Sequence, residues 1–289
     1  MEKIFSLVTL TIASLQIASA QVRVEVTLGQ EQFLPGEALP AAVRVTNRSG
    51  QTLHLGGQAD WLTFSVESRD GHIVIKNGDA PVLGEFTLDS SKVATKVVDL
   101  SPYFALPRPG RYTITATARI KEWDGQATSP PKTFDIIDGV KLWSQEFGVP
   151  AARAANQPPE VRRYALLQAN YLRSQLRLYF RVTDAAEGKV FKVFPLGPMV
   201  SFGQPEAEVD GLGLLHVLHQ NGPHTSNYNV LSPDGEILVR QTYDYASVRP
   251  RLQPDKDGKI AVAGGARRAS GDDLPATKRT DDESKPTKP

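Results

Sequence analysis

The 289 residues contain no cysteine, which excludes disulfides, covalent haem attachment and thiolate zinc sites and leaves burial alone to stabilise the fold. Neither sign of charge is in excess: 33 Lys and Arg meet 32 Asp and Glu, with no basic stripe interleaved with aromatics. The electrostatic footprint that a phosphate backbone requires is missing, so nucleic acid is set aside as a partner. Long apolar runs are scarce. The stretch from Ile4 to Ile17 is shorter than the roughly 20 residues that span a bilayer. Motifs that announce chemistry are absent too: there is no Gly-x-Ser-x-Gly elbow, no phosphate-cradling or dinucleotide glycine loop, and no His-Glu-x-x-His.

What is present begins with an export signal. Lys3 and the N-terminus supply a small positive charge, the run from Ile4 to Ile17 is mostly apolar, and Ala18-Ser19-Ala20 offers the small residues that a signal peptidase accepts. Residues 1–20 therefore read as a signal peptide. This predicts a mature chain beginning at Gln21, exported to periplasm, envelope or medium, with no membrane span once the signal is removed.

Beyond Gln21, alternation dominates. Val22, Val24, Val26 and Leu28 point one way while Arg23, Glu25 and Thr27 point the other, the period-two pattern of a half-buried strand. Similar runs recur at Ala41 to Thr46, Leu62 to Glu67 and Tyr112 to Ile120, separated by Pro35-Gly36, Asp70-Gly71, Asn77-Gly78 and Pro109-Gly110. Asp70-Gly71 is expected to close a hairpin between Phe64-Ser65-Val66 and Ile73-Val74-Ile75. Short, evenly spaced strands with such turns argue for an antiparallel sandwich over residues 21–138. Tyr112, just after Pro109-Gly110, suits a tyrosine corner, in which the hydroxyl bonds back to upstream backbone, and Ile114 takes the core position that antibody domains fill with cysteine.

With Val43 to Gly50, Val98-Asp99-Leu100 and Pro109 to Tyr112 in view, residues 22–137 resemble the immunoglobulin-like module of bacterial secreted proteins. Similar modules are the non-catalytic domain beside deuterolysin-type metalloendopeptidases and the proteinase-inhibitor-like sandwich domain. The resemblance implies a scaffold or binding module and carries no active site, since the zinc motif of such peptidases is missing.

The second half is also expected to be β-rich, which makes the whole chain all-β. Residues 139–160, with an Ala/Pro/Asn-rich stretch, read as a linker. Glu160 to Arg177 has helical spacing but is assigned to strands, because the chain beyond it repeats. Asp210 to Val217 can be laid on Asp255 to Val262, and Phe180 to Asp184 with Gly188 to Lys192 can be laid on Tyr228 to Ser232 with Gly235 to Val239. Repeats of about 45 residues over 161–265 suit propeller-like blades, with Leu215, Val217, Ile260 and Val262 facing inward. Two and a fraction units are too few to close a ring, so a short open stack and a second sandwich remain the alternatives. Residues 266–289 hold almost nothing apolar and read as a disordered tail.

Candidate chemistry is sparse. His216, His219 and His224 lie close in sequence, yet on a strand His216 and His219 point to opposite faces and cannot easily share a metal. Asp255, Asp257 and Gly258 match a turn better than a calcium loop, because the further oxygen ligands are absent. Glu206 and Glu208 share one face of an expected strand. No catalytic, metal or cofactor-binding residue is assigned. The leading expectation is a non-catalytic binding or scaffold protein whose partner is another protein or an envelope polysaccharide. Its rivals are a hydrolase or lyase, built on Glu206, Asp210 and the histidines, and a structural envelope component or an inhibitor accessory to another exported protein.

Overall fold

A computed structural model describes residues 21–149, 160–171, 175–254 and 259–275. The expected signal peptide, residues 150–159 of the expected linker, the Asp255–Gly258 turn and the chain beyond 275 lie outside the described residues. The fold is all-β, as the alternation predicts, and its sheets are open layers.

The first half contains β1 (Val22–Leu28), β2 (Gln32–Phe33), β3 (Pro40–Asn47), β4 (Leu53–Leu55), β5 (Leu62–Ser68), β6 (Ile75–Lys76), β7 (Phe86–Leu88), β8 (Val93–Asp99), β9 (Phe104–Ala105), β10 (Gly110–Ile120), β11 (Gly125–Thr128) and β12 (Lys132–Ile136). A sheet ordered β1-β3-β8 packs on a second one built around the long β10, which pairs with β5 along one side and with β12 and β11 along the other. The period-two pattern decides which residues enter the core. Val22, Val24 and Val26 meet Ala41, Val43 and Val45 on one sheet, and Tyr112, Ile114, Ala116 and Ala118 on the other, in a single buried cluster. Each such large side chain contributes about 1.5–3 kcal/mol of apolar burial.

Tyr112 forms the expected corner. Its hydroxyl donates to the Arg108 carbonyl at 2.7 Å and lies 2.8 Å from His72 Nε2. A hydroxyl has one proton to give, so His72 Nε2 donates and its Nδ1, 3.1 Å from Ser68 Oγ, accepts. The Asp70-Gly71 hairpin does not form as expected. β5 pairs with β10, while β6 pairs with β9. The Asp70 carboxylate instead accepts the Arg111 N–H at 3.2 Å, which fastens the turn to β10.

The second half contains β13 (Val140–Gly148), β14 (Val161–Tyr171), β15 (Gln175–Asp184), β16 (Val190–Pro198), β17 (Glu206–Val209), β18 (Leu215–Gly222), β19 (Thr225–Leu231), β20 (Ile237–Asp244), β21 (Arg251–Pro254), β22 (Ile260–Ala263) and β23 (Ala266–Arg268). The meander β13-β14-β15-β16 faces the sheet β17-β18-β19-β20-β23 across a core of Phe147, Tyr164, Leu178, Phe180, Leu215, Val217 and Leu231. The aligned segments of Phe180 to Lys192 and Tyr228 to Val239 are the β15–β16 and β19–β20 hairpins of these two meanders. The likeness in sequence thus belongs to two sheets of one sandwich.

The third unit is different. β21 and β22 form a two-stranded ribbon, and Ile260 and Val262 lie partly buried under the outer face of the second meander, whereas Leu215 and Val217 are fully buried between the meanders. These four positions are therefore not equivalent. Two boundaries also move. Val140–Gly148, inside the expected linker, is a strand because Phe147 stacks on Tyr164 with ring centroids 3.9 Å apart and Leu142 and Trp143 pack on the same core. The start of the expected disordered tail is ordered through Pro275: β23 pairs with β20, Leu274 bridges Arg240, and Asp273 is buried against Arg267.

The halves meet through Leu34 and Ile137, which pack on Ala165, Leu167, Ala169, Tyr179 and Val193 from the outer face of β14–β16. Beside them Glu187, in the β15–β16 turn, receives Lys141, Arg163 and Arg181 at 2.8, 2.5 and 2.8 Å. These cations hold its carboxyl down at about 2.

Candidate functional site

The strand that carries the histidines is buried from both sides. All six residues from Leu215 to Gln220 are buried, because one face of β18 meets the first meander while the other lies under the β21–β22 ribbon. Strand alternation therefore sends His216 and His219 into different environments, and neither into water.

His216 lies on the ribbon side. The turn Asp210 to Leu214 is closed by Gly213 N–H to the Asp210 carbonyl at 3.0 Å, and Asp210 Oδ1 accepts the N–H groups of Leu212 and Leu214, each at 2.9 Å. The remaining oxygen, Oδ2, is 3.2 Å from His216 Nε2, and His216 Nδ1 is 2.7 Å from the Tyr228 hydroxyl. One tautomer satisfies the whole chain, with Tyr228 donating to Nδ1 and Nε2–H donating to Asp210. Burial pushes the Tyr228 hydroxyl up to about 12, reinforced by Tyr243 and Asp210. An aspartate, histidine and tyrosine in series have the parts of a proton relay. Here both ends serve the fold, since Asp210 caps a turn and Tyr228 is buried in the ribbon contact.

The other expected groups do not join them. His224 lies beyond the end of β18, its ring 6.2 Å from that of Tyr245. Glu206 and Glu208 share the ribbon-side face, as alternation requires, and Glu206 accepts the Leu252 N–H at 2.8 Å, which ties β21 to β17. Among the described residues no group of three His, Asp or Glu side chains gathers to hold a metal.

His219 lies between the meanders. It is 2% exposed, and neither ring nitrogen makes a hydrogen bond. The Pro198 carbonyl is beside it in a contact short of hydrogen-bond geometry. Desolvation lowers its pKa to about 4, which the Pro198 carbonyl opposes only weakly. On the same face, Asn229 is 0% exposed with neither amide atom paired, and its register partner Arg240 has a buried, unpaired Nε. The sequence reading missed Asn229 and Arg240. The available signal was Asn227 and Asn229 at i and i+2, polar residues on the face that ends in Leu231.

A second surface lies on the first sandwich, where β8 is an edge strand. Leu100 N–H bonds to the Leu39 carbonyl at 3.0 Å, which fixes the antiparallel phase. Ala94, Lys96 and Val98 then exchange hydrogen bonds with β3, while the N–H and C=O groups of Val93, Thr95 and Val97 point away from it. No partner for these outward groups is found among the described residues. Beside this edge, Pro81, Leu83, Val97, Pro102 and Tyr103 line an open concavity of about 410 Å³. Leu83 and Val97 are 71% and 67% exposed.

Neither a family model nor a curated protein matches the sequence. The resemblance of the first half to immunoglobulin-like modules thus rests on its own residues. Among solved structures, Spo0M, a sporulation control protein from Bacillus subtilis, is similar at 12% identity over 59% of this chain and 82% of that one, with a TM-score of 0.30. At that TM-score nothing about this chain is argued from the likeness, and the firm assignment is an all-β protein of layered sheets.

Proposed function

We propose that this chain is an exported, non-catalytic binding or scaffold protein that takes an extended segment of another protein onto the free edge of its first sandwich. The observation that carries the reading is β8. Its outward N–H and C=O groups at Val93, Thr95 and Val97 have no partner among the described residues, and its solvent face carries two exposed valines. Natural edges are commonly blunted by proline, bulges or charge, since an open edge pairs with any extended chain. Strand addition uses such main-chain groups for affinity and neighbouring pockets for alternate side chains, and the concavity at Leu83 and Tyr103 lies where such a side chain would fall. The immunoglobulin-like character of this half is supported by the two packed sheets and the Tyr112 corner. The export signal at residues 1–20 supports a periplasmic, envelope or extracellular location.

The test is site-specific photocrosslinking in the exported, full-length protein, with benzoylphenylalanine at Val97 and, as a control on the other half, at Leu238. Protein adducts at Val97 that disappear in Thr95→Pro support the reading. That change removes one outward N–H while leaving the β3 ladder intact. Adducts equal at both positions, or untouched by Thr95→Pro, overturn it. Carbohydrate in place of protein at Val97 would assign the edge to the envelope polysaccharide instead.

A further inference from the structure

We infer that the inner face of the β18–β20 sheet binds the head of a short-chain carboxylate, with Arg240, Asn229 and His219 as its recognition groups. The register brings them together: Val217, Asn229 and Arg240 are directly opposite one another across three strands, and the next row on the same face is His219, Asn227 and Thr242. Directly opposite residues hold their Cβ atoms about 4.5–5.5 Å apart, and diagonal neighbours are within reach of long side chains. His219 and Asn229 are diagonal neighbours, both more than nine-tenths buried, and both lack a hydrogen bond. Buried polar side chains are ordinarily paired, and those that are not point to a ligand-binding or strained site.

The chemistry of the row is that of a donor set. Asn227 Oδ1 already accepts from Asn221 at 2.8 Å and from Thr242 at 3.4 Å, which leaves its Nδ2 as a donor. Arg240 makes no ion pair among the described residues, and its Nε is buried. The acidic residue nearest along the same face, Asp244, is engaged by Arg268 at 3.3 Å. One fixed positive charge, two amides and an imidazole therefore share this face, on which the nearest acidic residue of β20 is already paired. A planar two-oxygen anion matches the guanidinium fork and leaves the amide of Asn229 to complete its acceptor sites. Apolar neighbours are at hand for a short aliphatic tail, with Val217 opposite Asn229 and with Leu178 and Leu196 buried on the facing meander.

The backbone opposite is also shaped for close approach. Gly197 has φ +151°, and a methyl group there would lie 3.3 Å from Asn227 Nδ2 and 3.7 Å from His219 Nε2. Glycine thus lets the β16 backbone approach without placing a side-chain carbon against Asn227 and His219.

Acetate and butyrate are the probes, titrated at pH 7 and constant ionic strength into mature protein labelled with ¹⁵N. Saturable shifts of the Asn229 amide and His219 imidazole signals, with butyrate tighter than acetate, support the site. At least five-fold weaker binding is expected in Arg240→Lys, which keeps the charge and loses the fork. Asn229→Leu should remove the response. No saturable shift in the wild-type protein, or phosphate and chloride acting as well as butyrate, overturns the inference without any variant having to fold. So does unchanged butyrate affinity in Asn229→Leu, which would make the amide a buried group of no consequence to binding. The β8 proposal is untouched by either outcome, since it concerns the other sandwich.

Discussion

The sharpest quantitative expectation concerns acid. His219 is buried and neutral in the native protein, with its pKa lowered to about 4 by desolvation, whereas in the unfolded chain it titrates near 6.5. The unfolded state therefore holds more protons throughout that interval, and stability falls as pH falls. Its full contribution is present above about pH 6.5, is lost progressively, and is gone below about pH 4. The whole shift corresponds to about 3 kcal/mol, of which less than half is lost by pH 5.5 and most by pH 4.5. Glu37, raised by burial, gives a slope of opposite sign just above the ordinary carboxylate range, so the raw wild-type profile understates the histidine. Comparison with His219→Gln removes that background. Urea unfolding at pH 7.0, 5.5 and 4.5 should show the variant losing less than the wild type, by roughly 1 kcal/mol at pH 5.5 and roughly 2 kcal/mol at pH 4.5. Parallel profiles for the two proteins would refute the reasoning, because the ring would then be hydrated or paired when folded.

Three further outcomes are expected. Tyr112→Phe should cost about 1–2 kcal/mol in unfolding free energy, since it removes the bond to the Arg108 carbonyl and strands His72; an unchanged urea midpoint would count against the corner. Glu187→Gln should flatten the stability profile between about pH 4.5 and pH 2, the window in which a carboxyl held at about 2 loses its three cations. After discount for solvent screening the effect is about 1 kcal/mol, readable as a difference in melting temperature between pH 5 and pH 3. Truncation after Pro275 should leave the melting temperature unchanged, whereas truncation after Gly265 should lower it by several degrees, because it removes β23 and the Asp273–Arg267 pair. Equal melting temperatures for the two truncations would show that this segment contributes nothing.

Much of the first sandwich was legible because one face of each main strand is wet. Val22, Val24 and Val26 alternate with polar residues, so the burial pattern is written in the sequence. Pairing was less legible. Asp70-Gly71 has hairpin chemistry, but long-range pairing of β5 with β10 overrode the local turn. In the second half the alternation blurs, since β18 is covered on both sides and Leu215-His216-Val217-Leu218 runs without a solvated face. That blurring hid which neighbours His216 and His219 would meet. The repeat was visible as two hairpins, but the choice between blades and a second sandwich was not, because sequence likeness reports the unit and not how units stack. The grouping of His219, Asn229 and Arg240 was not legible beyond the Asn227 and Asn229 alternation, as its members come from three strands and meet only once register is set.

The contact between the halves bears on modularity. Leu34 follows β2, Ile137 follows β12, and both are covered by the outward side chains of β14, β15 and β16. Gly139 brings the chain so close that a methyl group there would lie 3.1 Å from Leu167 and 3.3 Å from Leu34. A cut at the expected boundary near residue 138 would not release two self-contained domains. It would leave each with exposed apolar side chains that the other half covers in the intact chain. The smallest piece of this chain that can be transplanted, whether by recombination or by an engineer, is the two sandwiches together.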